Sequence, residues 1–238
     1  MGRRTTQTCL TVLAVVSDVH ANLEALQAVL GEIRGLETLC LGDLVDYGAN
    51  PNEVIELVRK RGTRTIMGNH DWAAVNADTS LFNPRAAMSS IWTQRHLTGQ
   101  SLEYLRALAP EMRNPFEGPE AYFTHGSPDD RLWEYVDPRT HANLFGHYLS
   151  KLGVGLIGLG HTHVPYVWME GGKTVFNPGS VGQPRDGNPK ASYALVTIEG
   201  KEATVDIRRV EYDVQKAASK ILDAGLPAPH ASRLFSGT

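Results

Sequence analysis

Short apolar runs that end directly in a glycine, a carboxylate or a histidine constrain the fold of this chain more than any other feature. The run at residues 39–41 ends at Gly42, Asp43 follows at once, and Pro51 then opens a predicted helix. Residues 10–16 form a similar run that ends just before Asp18. A continuous apolar run rich in β-branched residues is typical of a strand buried on both faces. We therefore expect parallel strands whose carboxyl ends carry the functional side chains.

The order of the predicted elements indicates an α/β fold. Strands are predicted at 10–16, 39–41, 63–67, 121–124, 154–159, 166–169, 174–176, 193–198 and 203–210. Helices are predicted from residue 23 onwards and at 51–60, 84–97, 101–108, 139–152 and 214–224. Asn22 is expected to cap the first helix. The 4 scattered tryptophans are expected to pack helices against the sheets.

These elements divide the chain into one main domain with two appendages. We expect a flexible N-terminal tail at 1–9 and a domain at 10–212 that contains a small helical insertion at 72–110. A C-terminal helix and tail occupy 213–238. The apolar run at 9–16 is too short for a signal sequence or a membrane span.

Charge and cysteine content narrow the class of partner and the compartment. The chain has 23 basic and 26 acidic side chains, so no basic excess indicates a stable complex with nucleic acid. Its two cysteines, Cys9 and Cys40, lack the spacing of metal ligands, which fits a reducing compartment. We expect a cytoplasmic protein that acts on a small phosphate-ester or nucleotide-like substrate and does not bind a membrane. The sequence predicts no oligomeric state.

Two pairs of polar residues have the spacing of metal ligands. Asp18 and His20 are two residues apart, as are His161 and His163, so in an extended segment both side chains of a pair point to the same side. Carboxylates and imidazoles suit manganese, iron or zinc better than calcium. Either pair alone is weak evidence, but five of the 9 histidines lie in four motifs directly after predicted strands. The others have no motif around them and are expected at the surface or in helix packing: His96, His141, His147 and His230.

Five motifs, in this order, resemble the calcineurin-like metallophosphoesterases. They are Asp18-x-His20, Gly42-Asp43, Gly68-Asn69-His70-Asp71, His125-Gly126 and Gly160-His161-x-His163. The resemblance extends over residues 10–212 and implies an αββα four-layer sandwich with two divalent metal ions at the carboxyl edge of the strands. It also implies that Asp43 binds both ions. The other ligands would form one set of Asp18, His20 and His163 and another of Asn69, His125 and His161.

The same resemblance implies a phosphoesterase, with a phosphodiesterase as the first choice, in which a metal-bridging hydroxide attacks phosphorus. His70 is not a ligand in such sites and is expected to face the substrate and protonate the leaving oxygen. Asp46 is expected to orient His70, or else only to cap the following turn. The alternative functions are a phosphomonoesterase, a nucleotide hydrolase on the same site, and a metal-binding scaffold without turnover.

Tyr47 marks a departure from other members of the family. In the phosphoprotein phosphatases and diadenosine tetraphosphate hydrolases, an arginine that binds phosphate follows the counterpart of Asp46, and here that residue is Tyr47. Loss of this clamp favours a phosphodiester, which has one charge less than a monoester. Arg185 either replaces the clamp or is a solvated turn residue, in a loop that resembles that of small bacterial members. The candidate substrate-binding residues are therefore Asn22, Tyr47 and Arg185.

Overall fold

The computed structural model describes residues 10–238, so the expected tail at 1–9 lies outside the described residues. The strands are β1 (Leu10–Val16), β2 (Glu37–Cys40), β3 (Arg64–Thr65), β4 (Glu111–Arg113), β5 (Ala121–Thr124), β6 (Leu156–Gly158), β7 (Tyr166–Glu170), β8 (Lys173–Asn177), β9 (Ala191–Glu199) and β10 (Glu202–Val210). The helices are α1 (Leu23–Glu32), α2 (Pro51–Arg61), α3 (Asn69–Asn76), α4 (Pro84–His96), α5 (Gly99–Arg106), α6 (Pro138–Leu152), α7 (Val214–Asp223) and α8 (Ala228–Ser232). A 3₁₀ turn, Arg233–Phe235, follows α8.

The strands form two mixed sheets of five strands each. The first sheet has the order β10-β9-β1-β2-β3, in which β1, β2 and β3 are parallel and β9 is antiparallel to β1. The second has the order β4-β5-β6-β8-β7, in which β5, β6 and β8 are parallel. The parallel strands thus include those that lead into the predicted motifs, which places the motif loops at the carboxyl edges of the sheets.

Alternating side chains along β1 show how the layers stack. Leu13 and Val15 point into a core between the two sheets, where Phe123 of β5 meets them. Ala14 and Val16 point the other way and pack under α1 and α2. Helix α6 covers the outer face of the second sheet. Residues 13–16 of β1 are buried on both faces and are therefore all apolar, and the result is the αββα four-layer sandwich that the motifs implied.

Two parts of the chain differ from the expected structure. Helix α3 begins at Asn69, so most of the third motif, which was expected only to follow a strand, forms the first turn of a helix. The residues expected to form a C-terminal tail fold into α8 and the 3₁₀ turn, where Leu234 joins a small apolar cluster with α7. A five-residue helix has no stability of its own, so tertiary packing decides it and periodicity cannot predict it. Among residues 10–238, no helix combines the length and apolar character required to cross a membrane.

Candidate metal centre

The backbone is strained where the motif residues lie. Left-handed φ angles are costly for residues other than glycine and persist only where the surroundings enforce them. Seven of the ten such residues found within 10–238 are predicted site residues: Asp18, His20, Asp43, Asp46, Tyr47, His161 and His163. The amides of Asp18 and His20 donate to the carbonyl oxygens of Gly42 and Asp43 at 3.0 and 2.9 Å. These bonds join the loops after β1 and β2 and fix both motifs relative to each other.

Gly68 and Asp71 bring the third motif against the second. A Cβ atom at position 68 would lie 2.1 Å from Asp43 Oδ1 and 2.3 Å from the Asp43 amide nitrogen, so no side chain fits there. The Asp71 carboxylate accepts hydrogen bonds from the amides of Asp43, Leu44 and Gly68 at 2.8, 2.9 and 3.0 Å. Asp71 therefore holds the backbone on both sides of Asp43 in place.

His20 and His163 face each other through unprotonated nitrogens. Their Nδ1 atoms lie 2.9 and 2.6 Å from the carbonyl oxygens of Val45 and Gln183. Because a carbonyl only accepts, each Nδ1 carries the hydrogen and each Nε2 has a lone pair. The two Nε2 atoms are 3.1 Å apart, and burial lowers the pKa of both rings well below the usual range. Two lone pairs at this distance repel each other, so a cation between them would be strongly favoured.

Asp18 and Asp43 complete this first group of donors, whose ligand atoms lie within 4.8 Å of one another. Asp18 Oδ1 is 3.3 Å from His163 Nε2, and Asp43 Oδ2 is 3.6 Å from His20 Nε2. Both oxygens are buried and have no hydrogen-bond partner among residues 10–238. Burial, with a further contribution from Asp43, raises the pKa of Asp18 to about 6. Unpartnered buried acceptors are costly, and a divalent cation would remove that cost for both carboxylates.

Asp43 also belongs to a second group, together with His125 and His161. His125 donates from Nδ1 to the Leu41 carbonyl at 2.7 Å, and its Nε2 lies 3.2 Å from Asp43 Oδ2 and 3.1 Å from Asn69 Oδ1. Burial opposes protonation of His125, but the facing Asp43 carboxylate raises its pKa to about 9. The field that attracts a proton to this nitrogen attracts a metal cation in the same way.

His161 offers its other nitrogen to the centre. Its Nε2 donates to the Trp133 carbonyl at 3.2 Å, which leaves Nδ1 as the free lone pair. Burial, together with the nearby His125, lowers the pKa of His161 to about 3, so the ring is neutral. The two groups combine carboxylate, imidazole and amide oxygen donors, a set that fits a divalent transition metal.

His70 lies beside the two groups with its ring held by Asp46. His70 Nδ1 is 2.7 Å from Asp46 Oδ2. Burial opposes protonation of His70, but Asp43 and Asp46 raise its pKa above the usual value. The other Asp46 oxygen has no hydrogen-bond partner within the described residues, so Asp46 does not cap the following turn. Asp46 thus makes the contact expected of a residue that orients His70.

Tyr47 and Arg185 lie on the outer side of the centre. The Tyr47 ring lies 4.5 and 4.6 Å from the rings of His20 and His70. The Arg185 guanidinium carbon is 5.9 Å from the Tyr47 ring centroid. Burial raises the pKa of Tyr47, so its phenol is neutral. Arg185 is half-buried beside Tyr47 and is not a solvated turn residue.

Asn22 has a structural role instead of the expected contact with substrate. Its Oδ1 accepts from the Ala25 amide at 3.1 Å and so caps α1. Its Nδ2 donates to the Gly182 carbonyl at 2.9 Å. Both polar atoms are used and the residue is buried, so the expectation that Asn22 binds substrate is wrong, whereas the expected helix cap is confirmed.

The cleft above the centre consists of two cavities that adjoin at Tyr47, Asn83 and Tyr135. The inner cavity, of about 270 Å³, lies over the donors and is also lined by Asn69, His70, Leu81, Phe82, Ala86, Trp133 and His161. The outer cavity, of about 570 Å³, is also lined by Pro84, Arg85, Arg185, Pro229, His230 and Arg233. Most of these lining residues lie outside the five motifs.

Several residues that line the two cavities were predicted to have other roles or were not predicted as site residues. Trp133 was expected only to pack helices, but it lines the inner cavity. His230 was expected at the surface or in helix packing; it is 2% exposed and packs 4.7 Å from the Tyr47 ring at the outer cavity. The aromatic residues at 133–135, shortly after the His125 motif, were an available signal. No local pattern distinguishes Arg85 or Arg233.

The comparisons with known proteins agree on the family. Residues 12–201 match the family model described as the calcineurin-like phosphoesterase superfamily domain. The chain is 38% identical over 247 residues to the uncharacterised protein MJ0912 of Methanocaldococcus jannaschii. The alignment covers 95% of this chain and 98% of that protein. The crystal structure of a metallophosphoesterase from Sphaerobacter thermophilus is 36% identical, has a TM-score of 0.82, and covers 97% of this chain and 100% of that one. The hypothetical protein PH1004 from Pyrococcus horikoshii has the same fold, with a TM-score of 0.86 at 23% identity over 96% of this chain and 99% of that one.

An αββα sandwich with buried carboxylate and imidazole groups at the carboxyl edge of its strands defines a protein of the metallophosphoesterase class. This chain belongs to the calcineurin-like phosphoesterase superfamily. The fold and the family predicted from the five motifs are therefore confirmed, and the buried histidines and aspartates are consistent with binding of a divalent metal.

Proposed function

We propose that the protein is a phosphoesterase that depends on two divalent metal ions and prefers phosphodiesters. The observation that carries the proposal is the pair of donor groups that share Asp43. Asp18, His20 and His163 would hold one ion, and Asn69, His125 and His161 the other. Manganese, iron and zinc all suit these donors. When bound, such ions lower the pKa of water and neutralise charge on the phosphoryl oxygens.

His70 and Asp46 supply proton chemistry beside the centre. Because His70 Nδ1 is engaged by Asp46 at 2.7 Å, Nε2 is the nitrogen available to a substrate in the inner cavity. The raised pKa of His70 favours the protonated ring, which can stabilise negative charge and donate a proton to the leaving oxygen. Asp46 keeps the ring in one orientation throughout.

The lining of the inner cavity supports a diester as substrate. Among its described lining residues there is no lysine or arginine, and Tyr47 stands where related phosphatases have a phosphate-binding arginine. A monoester dianion would therefore lack a bidentate arginine clamp here, whereas a diester with a single charge needs less compensation. The aromatic side chains of Phe82 and Trp133 offer contact area for the organic part of an ester.

The proposal extends to the size of the substrate and to the cellular compartment. A cleft of limited volume supports a small phosphate ester or nucleotide-like substrate rather than long nucleic acid. The balance of 23 basic and 26 acidic side chains is in line with this choice. Cys40 is a buried free thiol, in keeping with a reducing cytoplasmic compartment.

The decisive experiment is a hydrolysis assay with defined metals. The protein is stripped with a chelator, reloaded separately with manganese, iron(II) or zinc, and assayed with bis-p-nitrophenyl phosphate and p-nitrophenyl phosphate. We expect hydrolysis that depends on the metal and is faster with the diester. Faster release from the monoester would favour a phosphomonoesterase, and no metal-dependent release with any ion would leave a non-catalytic scaffold.

A further inference from the structure

The outer cavity contains three arginines whose side chains form few interactions with other described residues of the protein. Arg85, Arg185 and Arg233 form no ion pair with a carboxylate within residues 10–238, although six other arginines do. No acidic side chain is found among the described lining residues of this cavity. The chain as a whole has a formal net charge of −3. The positive charge is therefore a local feature of the cavity.

Two of the guanidinium groups converge on a single neutral oxygen. Arg185 Nη2 donates to Gln183 Oε1 at 3.0 Å, and Arg233 Nη1 donates to the same oxygen at 3.2 Å. Arg185 Nε is buried and has no hydrogen-bond partner in the described part of the chain. A guanidinium carries five N–H donors, so one shared amide oxygen leaves most of them free. Two like charges held this close destabilise the protein unless an anion joins them.

The three arginines come from separate segments that are held together by their backbones. Arg85 lies in the first turn of α4, and its carbonyl accepts from His230 Nε2 of α8 at 3.3 Å. The loop that carries Arg185 continues to Gly187, whose amide donates to the Gly237 carbonyl at 2.8 Å. These contacts dock the C-terminal segment, with Arg233, onto both other segments. A binding site assembled in this way before the ligand arrives loses less entropy on binding.

The two cavities have complementary chemistry. The inner cavity would bring a phosphate ester to the metal-binding donors and has no lysine or arginine among its described lining residues. The outer cavity has three guanidinium groups, and none of its described lining residues belongs to the two metal-donor groups. Tyr47 and Tyr135 line both cavities, so one extended molecule can lie along them and reach into each.

We propose that the outer cavity binds a second, non-scissile phosphate group of the substrate. The substrate class would be a phosphodiester with an additional terminal phosphate on the ester arm that leads from the inner to the outer cavity. This inference rests on the proposed function. A phosphate monoester dianion matches three guanidiniums better than a carboxylate does, because it has more charge and three oxygens for paired N–H donors.

A matched pair of substrates tests the inference. Thymidine 5′-(p-nitrophenyl phosphate) and its 3′-phosphorylated counterpart have the same scissile diester and differ only in the second phosphate. We expect the 3′-phosphate to lower KM by about tenfold, as one good charge-assisted contact can. In Arg233→Gln the ratio of the two KM values should fall to within about twofold of unity. The matched control is Arg106→Gln, an exposed arginine at the end of α5, which should keep the wild-type ratio.

The controls separate a phosphate on the substrate from free phosphate. If inorganic phosphate, added to the unphosphorylated ester, reproduces the lower KM, the cavity binds a separate effector and the inference is wrong. Equal KM values for the two esters in the wild type, or an unchanged ratio in Arg233→Gln, would also overturn it.

A binding measurement distinguishes failure of the inference from failure of the proposed function. The Asp43→Asn protein, freed of metal, is titrated with inorganic phosphate by calorimetry, with circular dichroism as the check on folding. We expect saturable binding that weakens about tenfold when Arg233→Gln is added. Such binding, together with no hydrolysis of either ester by the metal-loaded wild-type protein, would refute the phosphoesterase and keep the phosphate site. Hydrolysis of both esters with equal KM would keep the enzyme and refute the site.

Discussion

The candidate metal centre and the outer cavity are neighbours, but they are built in different ways. Every imidazole of the centre is fixed by a hydrogen bond to a backbone carbonyl, and the loops that carry the donors are joined by backbone bonds. The arginines of the outer cavity belong to three segments far apart in the chain, and two of them share one side-chain oxygen. The comparison indicates that the donor groups are encoded locally at strand ends, whereas the proposed selection of substrate would depend on tertiary packing of the helices.

The candidate metal centre and the outer cavity also differ in the charge of the ligand that they suit. The centre contains buried carboxylate oxygens and imidazole nitrogens, which suit a cation, and the outer cavity contains guanidiniums, which suit an anion. Changes in the centre should therefore act on metal content and on turnover. Changes in the outer cavity should act on KM and on its dependence on salt.

The largest effect is expected from Asp43→Asn. Asp43 is the residue shared by the two donor groups, so an amide in its place weakens both. We expect kcat to fall by more than about 10³-fold, beyond the usual loss for one stabilising contact, and metal content measured by elemental analysis to fall in both sites. Asp223→Asn, at an exposed position of α7, is the matched control. Full metal content with normal turnover would remove Asp43 from the centre.

His70→Ala should lower turnover without removing metal, because His70 belongs to neither donor group. The loss of a general acid predicts a decrease in kcat of about 10²-fold to 10³-fold. Asp46→Asn should cost less, since an amide can still hold the ring although it no longer supports its charge. The check is kcat together with metal content for both variants. Parallel loss of metal and activity in His70→Ala would show that His70 acts through the metals.

The sequence predicted the centre well because each of its motifs is confined to a few residues. Strands predicted at 10–16 and 121–124 coincide with β1 and β5, and the residues that follow them include Asp18 and His125. A buried strand needs a continuous apolar run, and the run ends where the chain reaches the edge of the sheet. That edge is where the donors meet, so a one-dimensional pattern was sufficient to find them.

The outer cavity could not be predicted because none of its arginines lies in a local pattern. Arg85 follows a proline at the start of a helix, and Arg233 lies in a 3₁₀ turn whose packing depends on Leu234. Nothing in their neighbours in the sequence specifies that the two side chains share a cavity. Asn22 shows the reverse error: its polar side chain lies near the motifs, but the cap of α1 and the bond to the Gly182 carbonyl account for both of its polar atoms.

Ionic strength should separate the two regions in the wild type. Partly exposed guanidinium–phosphate pairs are screened by salt, whereas buried donors bound to metal are screened much less. Raising salt from about 0.05 M to about 0.5 M should raise KM of the 3′-phosphorylated ester about three- to tenfold and leave kcat nearly constant. The unphosphorylated ester is the internal control and should show a smaller change in KM. An equal response of both esters would place the second phosphate in solvent.

The smallest effect is expected at Asn22, which links the two regions. Its Oδ1 caps α1 beside the Asp18 motif, and its Nδ2 holds Gly182 in the loop that leads to Arg185. Asn22→Ala removes both contacts and should lower the free energy of unfolding by about 1–2 kcal/mol in urea denaturation. Asn22→Ser keeps a helix cap but loses the bond to Gly182, so it should recover part of that stability. If the loop depends on this bond, Asn22→Ser will still show a raised KM for the 3′-phosphorylated ester with an unchanged kcat. A normal KM in Asn22→Ser would show that the contacts of the C-terminal segment alone hold the arginines of the outer cavity in place.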